Sequence, residues 1–360
     1  MTGPADIVST LKNSHPPDWV ERVEMLDRER LGPRVLAREL VAASSRARAM
    51  VLLGSAGFSA RYADLVAAVA IARRRRPPHV VMTDATWEVG SQSLAGVAGR
   101  LVGGRRVDLS RVARAAVAAL DGPHVTYCVL SSEEARTFPA RWGVDPARVV
   151  FTPFCMTLWG DSLVPPRLLE PRVFAGGNPL RDYGSLIRAA DGLERPVVIA
   201  SSKLDPRDVA TAPRNVQAGP LPHDRFVDEL RRASVVVTPL KPGIERSAGQ
   251  QTYLNAMALG KPVIVTDAPG VRDHIEHGST GLIVPPGEPR ALREALDYVL
   301  DPEHADDVAA MGRRASALVL ERFTLDAYLR SLLAVVDRGT AASVTDPTQD
   351  DAYNRAEGVA

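Results

Sequence analysis

"SAGQQTYLNAMALGKPVIVTD", residues 247–267, sets a turn of small residues before a short helical run, a Gly-Lys-Pro break and a Val/Ile strand. Turn, helix, break and apolar strand make one step of an alternating α/β chain. The first residues of the stretch carry two readings. Ser247, Ala248 and Gly249 let a ligand approach the backbone at the start of a helix, where N–H groups and the helix dipole favour an anion. Ser247 and Gln250 are also spaced as a capping box, in which the helix satisfies its own first N–H groups. The readings are compatible, because a capped helix end keeps donors to offer.

Outward from this stretch the same rhythm recurs. The second half holds RVFAGG, PVVIASS, NVQAG, SVVVTPL and GLIVPP, separated by helical patterns. The first half holds AMVLLG (49–54), HVVMTD (79–84), HVTYCVL (124–130) and RVVFTPF (148–154), with helical periods near 59–75, 109–120 and 132–141. Strands apolar throughout and joined by helices predict parallel sheets covered on both faces. The fold class expected is α/β, with two Rossmann-like domains facing across a cleft. Ligands in such sheets sit beyond the carboxyl ends of the strands. The expected division is 1–165 for the N-terminal domain, 166–320 for the C-terminal one and 321–339 for a helix crossing back to the first. A polar, disordered tail is expected over 340–360. The final helical pattern, about 304–337, reads as one stretch, and Pro153, Gly160, Pro165 and Pro166 mark the linker.

Composition narrows the function. With 360 residues, 45% hydrophobic and 24% charged, the chain is an ordinary globular protein long enough for two domains. Net charge is +1, and residues 1–150 carry 21 Lys/Arg against 15 Asp/Glu, far from a nucleic-acid-binding signature. Cys128 and Cys155 give neither a disulfide framework nor a metal spacing. The sequence has no membrane-spanning stretch and no signal-peptide layout, so a cytoplasmic location is expected. Arg73–Arg76 read as a solvated helix end, with weak contact to anionic lipid at the inner membrane face as the sharper alternative. Of 44 basic residues only Lys12, Lys203, Lys241 and Lys261 are lysines. Lys261 reads as structural, at the turn into a strand.

Residues 260–296, "GKPVIVTDAPGVRDHIEHGSTGLIVPPGEPRALREAL", and 173–190, "VFAGGNPLRDYGSLIRAA", closely resemble the C-terminal domain of retaining GT-B glycosyltransferases of the family 4 type. The resemblance is strong over about 170–337 and extends over 20–165 only as strand order. The N-terminal half lacks the glycine-rich loop that relatives carry after a first strand, so the first domain reads as abbreviated.

The resemblance implies a metal-independent enzyme without cofactor that moves a sugar from a nucleotide-diphosphate donor to an acceptor hydroxyl. The acceptor is a carbohydrate, a lipid-linked sugar or a small molecule. It implies that Arg181, after the Gly176-Gly177 strand, and Lys203, after the next, are cations for the diphosphate. Ser247, Ala248, Gly249, Gln250 and Gln251 form the phosphate-binding helix start, with Lys241 beside them. Leu221 and His223, in the loop after NVQAG, occupy the base-binding position. Two glutamates usual in the family fall at Ser247 and Asn255, leaving Asn255, helped by Gln251, to meet the ribose. A surface ion pair with Asp182 is the competing reading of Arg181, and a solvated loop that of Lys203. Asp84, at a strand end, is a candidate to face the transferred sugar or the acceptor; its alternative is a turn cap. His274 and His277 lack metal-ligand spacing.

Three competing functions stand beside this one. A degenerate GT-B subunit binds a nucleotide or a partner without turnover, as the missing glutamates suggest. A GT-B enzyme of other chemistry performs pseudo-glycosyl coupling or sugar-nucleotide epimerisation. An NAD-dependent dehydrogenase needs Gly-x-Gly-x-x-Gly after a strand, which no segment supplies.

Overall fold

The computed structural model describes residues 6–11, 16–27, 30–54, 63–87, 109–163, 170–178 and 180–345. The chain divides into two compact units. The first comprises residues 1–130, 135–152 and 329–360, and the second 131–134 and 153–328.

In the first unit the elements run β1 (Ile7–Ser9), α1 (Pro17–Arg22), β2 (Val23–Met25), α2 (Pro33–Ala43), β3 (Ala49–Leu53), α3 (Ala63–Ala72), β4 (His79–Thr83), α4 (Leu109–Leu120), β5 (Val125–Val129), α5 (Ser132–Trp142), which belongs to it from Ala135 onward, and β6 (Val149–Phe151). The strands form one parallel sheet in the order β2-β1-β3-β4-β5-β6. β3, β4 and β5 are apolar runs buried almost throughout, which is why they form the middle of the sheet. β1 and β2 escape a sequence reading because each has three residues, too few to show a period.

The second unit runs β7 (Glu170–Gly176), α6 (Tyr183–Ala189), β8 (Val197–Ala200), α7 (Pro206–Ala210), β9 (Val216–Gly219), α8 (His223–Arg232), β10 (Ala233–Thr238), α9 (Gln250–Ala258), β11 (Val263–Thr266), β12 (Leu282–Val284), α10 (Pro289–Leu300) and α11 (Ala305–Arg322). Its parallel sheet has the order β9-β8-β7-β10-β11-β12, the doubly wound arrangement in which strand order reverses between β7 and β10. The loops after those two strands diverge there and leave room for a ligand. One apolar layer, with Phe174, Val236, Tyr253 and Met257, lies on one face of this sheet, and another, with Val173, Leu186, Ile264 and Leu296, on the other.

The last helical pattern is two helices rather than one. α11 ends at Arg322, and α12 (Leu325–Thr345) starts with the Thr324 hydroxyl accepting the Ala327 N–H at 3.2 Å. From Leu329 onward α12 belongs to the first unit, where Arg22 grips Asp337 through two nitrogens. The helix continues to Thr345, past the expected start of a disordered tail at 340. Thr340 explains the extension: it is buried and takes a hydrogen bond from Arg48 at 3.1 Å. The rest of that expected tail, with Pro165, Pro166 and Lys12, lies outside the described residues.

Candidate functional site

At the carboxyl end of β7 the chain turns at Gly177, whose φ of 105° is in the left-handed region that favours glycine. Leu180, with φ of 62°, holds a left-handed conformation without being glycine, a strained state found most often near functional sites. Its carbonyl accepts the Lys241 N–H at 3.1 Å, and Arg181 bridges to Leu240. The two loops of the reversal point are thus tied together by backbone.

This tie aims Arg181. Its Nε donates to the Gly176 carbonyl at 3.4 Å. A β-carbon at Gly177 would lie 3.0 Å from one guanidinium nitrogen, and one at Gly249 would lie 3.5 Å from another. Both glycines therefore expose bare backbone to the guanidinium. Desolvation lowers the Arg181 pKa and Arg246 lowers it further, while Tyr183 and Tyr253 act in the opposite sense. Asp182 does not supply the alternative ion pair: its carboxylate caps α6, accepting from the Ser185 N–H at 3.1 Å and hydroxyl at 2.6 Å.

Gly249 is also the N-cap of α9, with φ of 81° and no side-chain capping bond. The Ser247–Gln250 capping box does not form. The left-handed turn at Gly249 starts the helix there and leaves Ser247 outside its first turn. Ser247 is buried with its hydroxyl in no well-directed hydrogen bond. Ala248 is half-buried, Gln250 buried and Gln251 exposed. The first turn of α9 thus brings its positive dipole end to the guanidinium of Arg181. Two positive poles gathered on bare backbone form a seat suited to an anion.

The other candidates group around this seat to different degrees. Lys203 is exposed, just beyond β8, in a loop where Ser201 accepts the Lys203 N–H at 3.0 Å and Asn178 donates to Ser202 at 3.1 Å. Lys241 is exposed at the end of β10 and adds to the lowering of the Asp205 pKa, which Arg207 dominates. Leu221 and His223 are exposed at the carboxyl end of β9. Asn255 is buried and spends its side chain on the linker: its carbonyl accepts from the Thr157 N–H at 2.7 Å and the Leu158 N–H at 3.3 Å. Gln251 donates to the Thr157 hydroxyl at 3.0 Å. Lys261 is buried, with its pKa pushed down to about 8 mainly by that burial.

Asp84 lies in the first unit. It follows β4 with φ of 51°, a left-handed backbone at a buried aspartate, and its carbonyl accepts the Thr86 N–H at 2.7 Å. Sequence reasoning missed Arg246, which donates to the Ser247 carbonyl at 3.2 Å, and Gly270, where a β-carbon would lie 3.3 Å from the Ser247 Cβ and 3.0 Å from the Gln250 amide nitrogen. No local pattern marks them, because they come from separate segments.

Residues 181–302, which hold most of the seat, match the family model described as Glycosyl transferases group 1. Arg181 and the start of α9 therefore lie in the segment that is similar to this glycosyltransferase model. Both units carry the α/β fold of GT-B glycosyltransferases. HepE of Anabaena, solved with UDP and glucose, superposes with a TM-score of 0.62 at 15% identity, over 89% of this chain and 87% of its own. Sucrose-phosphate synthase of Thermosynechococcus elongatus gives 0.60 at 17% identity, over 92% and 86%. Among curated proteins, D-rhamnosyltransferase WbpZ of Pseudomonas aeruginosa is 31% identical over 166 residues, covering 43% of this chain and 42% of that protein. D-inositol 3-phosphate glycosyltransferase of Acidothermus cellulolyticus is 29% identical over 142 residues, covering 39% and 30%. The chain thus spans less than half the length of these curated relatives.

Proposed function

We propose that this protein is a retaining glycosyltransferase that transfers a sugar from a nucleotide-diphosphate donor to an acceptor hydroxyl. The observation that carries the reading is the Arg181 guanidinium set against the bare backbones of Gly177 and Gly249 at the start of α9. A departing nucleoside diphosphate develops negative charge on its terminal phosphate oxygen. Fixed donors and cations that need no reorganisation stabilise that charge best. Arg181 and the N–H groups of the α9 start meet the phosphates, and Lys203 and Lys241 approach from the exposed rim. With these protein cations the transfer proceeds without a metal. Leu221 and His223 flank the nucleotide base, and Asp84 faces the transferred sugar or the acceptor.

In the transfer, the bond from the anomeric carbon to the diphosphate oxygen breaks and a bond to the acceptor oxygen forms on the same face. The acceptor proton passes to the departing phosphate oxygen, so no separate base is required. Uridine diphosphate is the first donor nucleotide to test, since HepE, of the same fold, is solved with it. Arg181→Ala tests the reading: UDP affinity measured by titration calorimetry falls 10-fold or more while the circular dichroism spectrum is unchanged. Unchanged affinity rejects Arg181 as the phosphate ligand.

A second reading rests on Asn255. Its side chain is committed to Thr157 and Leu158, which favours a subunit that binds nucleotide without turnover. UDP binding combined with no consumption of any sugar nucleotide, with or without acceptors, supports that reading instead.

A further inference from the structure

Asn255 stands within α9, at the position where the resemblance calls for a ribose ligand, yet it is only 6% exposed. Its side-chain oxygen accepts the Thr157 N–H at 2.7 Å and the Leu158 N–H at 3.3 Å, and its amide donates to the Thr157 hydroxyl at 3.0 Å. Both lone pairs of the carbonyl and one amide hydrogen are therefore spent. Gln251, four residues earlier on the same face of the helix, donates to the same hydroxyl at 3.0 Å. These bonds join one face of α9 to two consecutive residues.

Those two residues are themselves fixed within the second unit. Leu158 is buried in the apolar layer that holds Tyr253 and Met257, and the Met156 N–H donates to the Phe323 carbonyl at 2.8 Å. Residues 156–158 therefore anchor the helix. Next to the clipped face, α9 carries Thr252, whose hydroxyl lies 3.5 Å from the Gly176 carbonyl, the group that also accepts from Arg181. A β-carbon at Gly177 would lie 3.5 Å from the same hydroxyl. The rotation of α9 about its axis thus decides how its first turns meet Gly176, Gly177 and the guanidinium. Apolar packing is non-directional, whereas hydrogen bonds demand a narrow distance and angle, so the polar clip sets that rotation.

We propose that Asn255 is a positioning residue and not a ribose ligand: with Gln251 it clips α9 to Thr157 and Leu158, and so fixes the direction in which the helix start meets the diphosphate. Asn255 itself touches no substrate. The role rests on the diphosphate reading given above, and it departs from the ribose contact that the resemblance implies at this position.

The test compares the affinity of the full chain and its variants for UDP and for dideoxyuridine diphosphate, which lacks both ribose hydroxyls. Asn255→Ala opens the clip, and both affinities fall by the same factor, about 5-fold or more. Thr157→Val keeps the side-chain shape, removes the hydroxyl at the other end of the clip and lowers both affinities likewise. The double variant then loses less than the product of the two single losses, because the residues act as a pair. If the alanine variant does not fold, Thr157→Val carries the same expectation. A loss confined to UDP makes Asn255 a ligand of the ribose and overturns the proposal. So do parental affinities in a folded Asn255→Ala or Thr157→Val protein, and so do single losses that multiply in the double variant. Failure of the parent protein to bind UDP, GDP or ADP rejects the diphosphate seat itself, and this role with it.

Discussion

Gly249 carries more of the site than its single hydrogen side chain suggests. Its φ of 81° starts α9, and a β-carbon there would stand 2.6 Å from the Thr238 methyl and 3.5 Å from Arg181. Gly249→Ala therefore meets both a left-handed backbone penalty of about 1–2 kcal/mol and a steric clash. The expected result is a lower unfolding midpoint together with loss of UDP binding, read by thermal denaturation and calorimetry. A variant with parental stability would show that the turn is not held in this conformation. Among the cations, Arg181→Ala removes a charge-assisted contact worth about 1.5–3 kcal/mol, or roughly 10- to 100-fold in affinity. Lys203→Ala acts from an exposed position and is expected to cost less, a few-fold in the same titration. Equal effects of the two substitutions would contradict the placement of Arg181 at the centre and Lys203 at the rim.

At the scale of elements, α9 is buried nearly all round, and α11 closes against the turn that follows it. The contact is tight at one point: a β-carbon at Gly312 of α11 would lie 2.2 Å from the Gly260 carbonyl oxygen. Gly312→Ala forces the helix away from that turn, and overpacking of this kind costs about 1–3 kcal/mol. A lower urea midpoint is expected, and an unchanged midpoint would contradict the packing. The longer strands were legible in the sequence because a buried parallel strand is a continuous apolar run, as in Val235-Val236-Val237 and Val263-Ile264-Val265. β1 and β2 were not legible, since three residues display no period. The helix start at Gly249 was read as a candidate phosphate seat, but its cap was misassigned to Ser247 and Gln250. Spacing cannot reveal that the intervening glycine adopts a left-handed turn. Arg181 was singled out through the resemblance, which implies a cation after this strand, whereas its approach to Gly249 depends on tertiary structure.

At the scale of the molecule, two doubly wound sheets are assembled from one chain, and α12 from Leu329 onward belongs to the first unit. That unit has a pH dependence of its own. His79 is buried, donating or accepting at Thr126 over 3.0 Å, and burial lowers its pKa to about 4, with His124 adding to the effect. The folded form keeps this imidazole neutral, while the unfolded chain protonates it near its ordinary value of about 6.5. Its contribution is thus complete above pH 6.5 and is lost as pH falls towards 4, by about 3 kcal/mol in total. Urea denaturation across that range is expected to show a steeper acid loss for the parent than for His79→Gln; parallel profiles would contradict it. Among the described residues, no helix is long and apolar enough to cross a membrane. The central claim is that Arg181, Gly177 and Gly249 seat a nucleoside diphosphate, and metal-free calorimetric titration with UDP, GDP and ADP tests it most directly. Saturable binding of one of them to the parent protein, weakened at least 10-fold by Arg181→Ala, is the predicted result; no binding of any of the three would contradict the account.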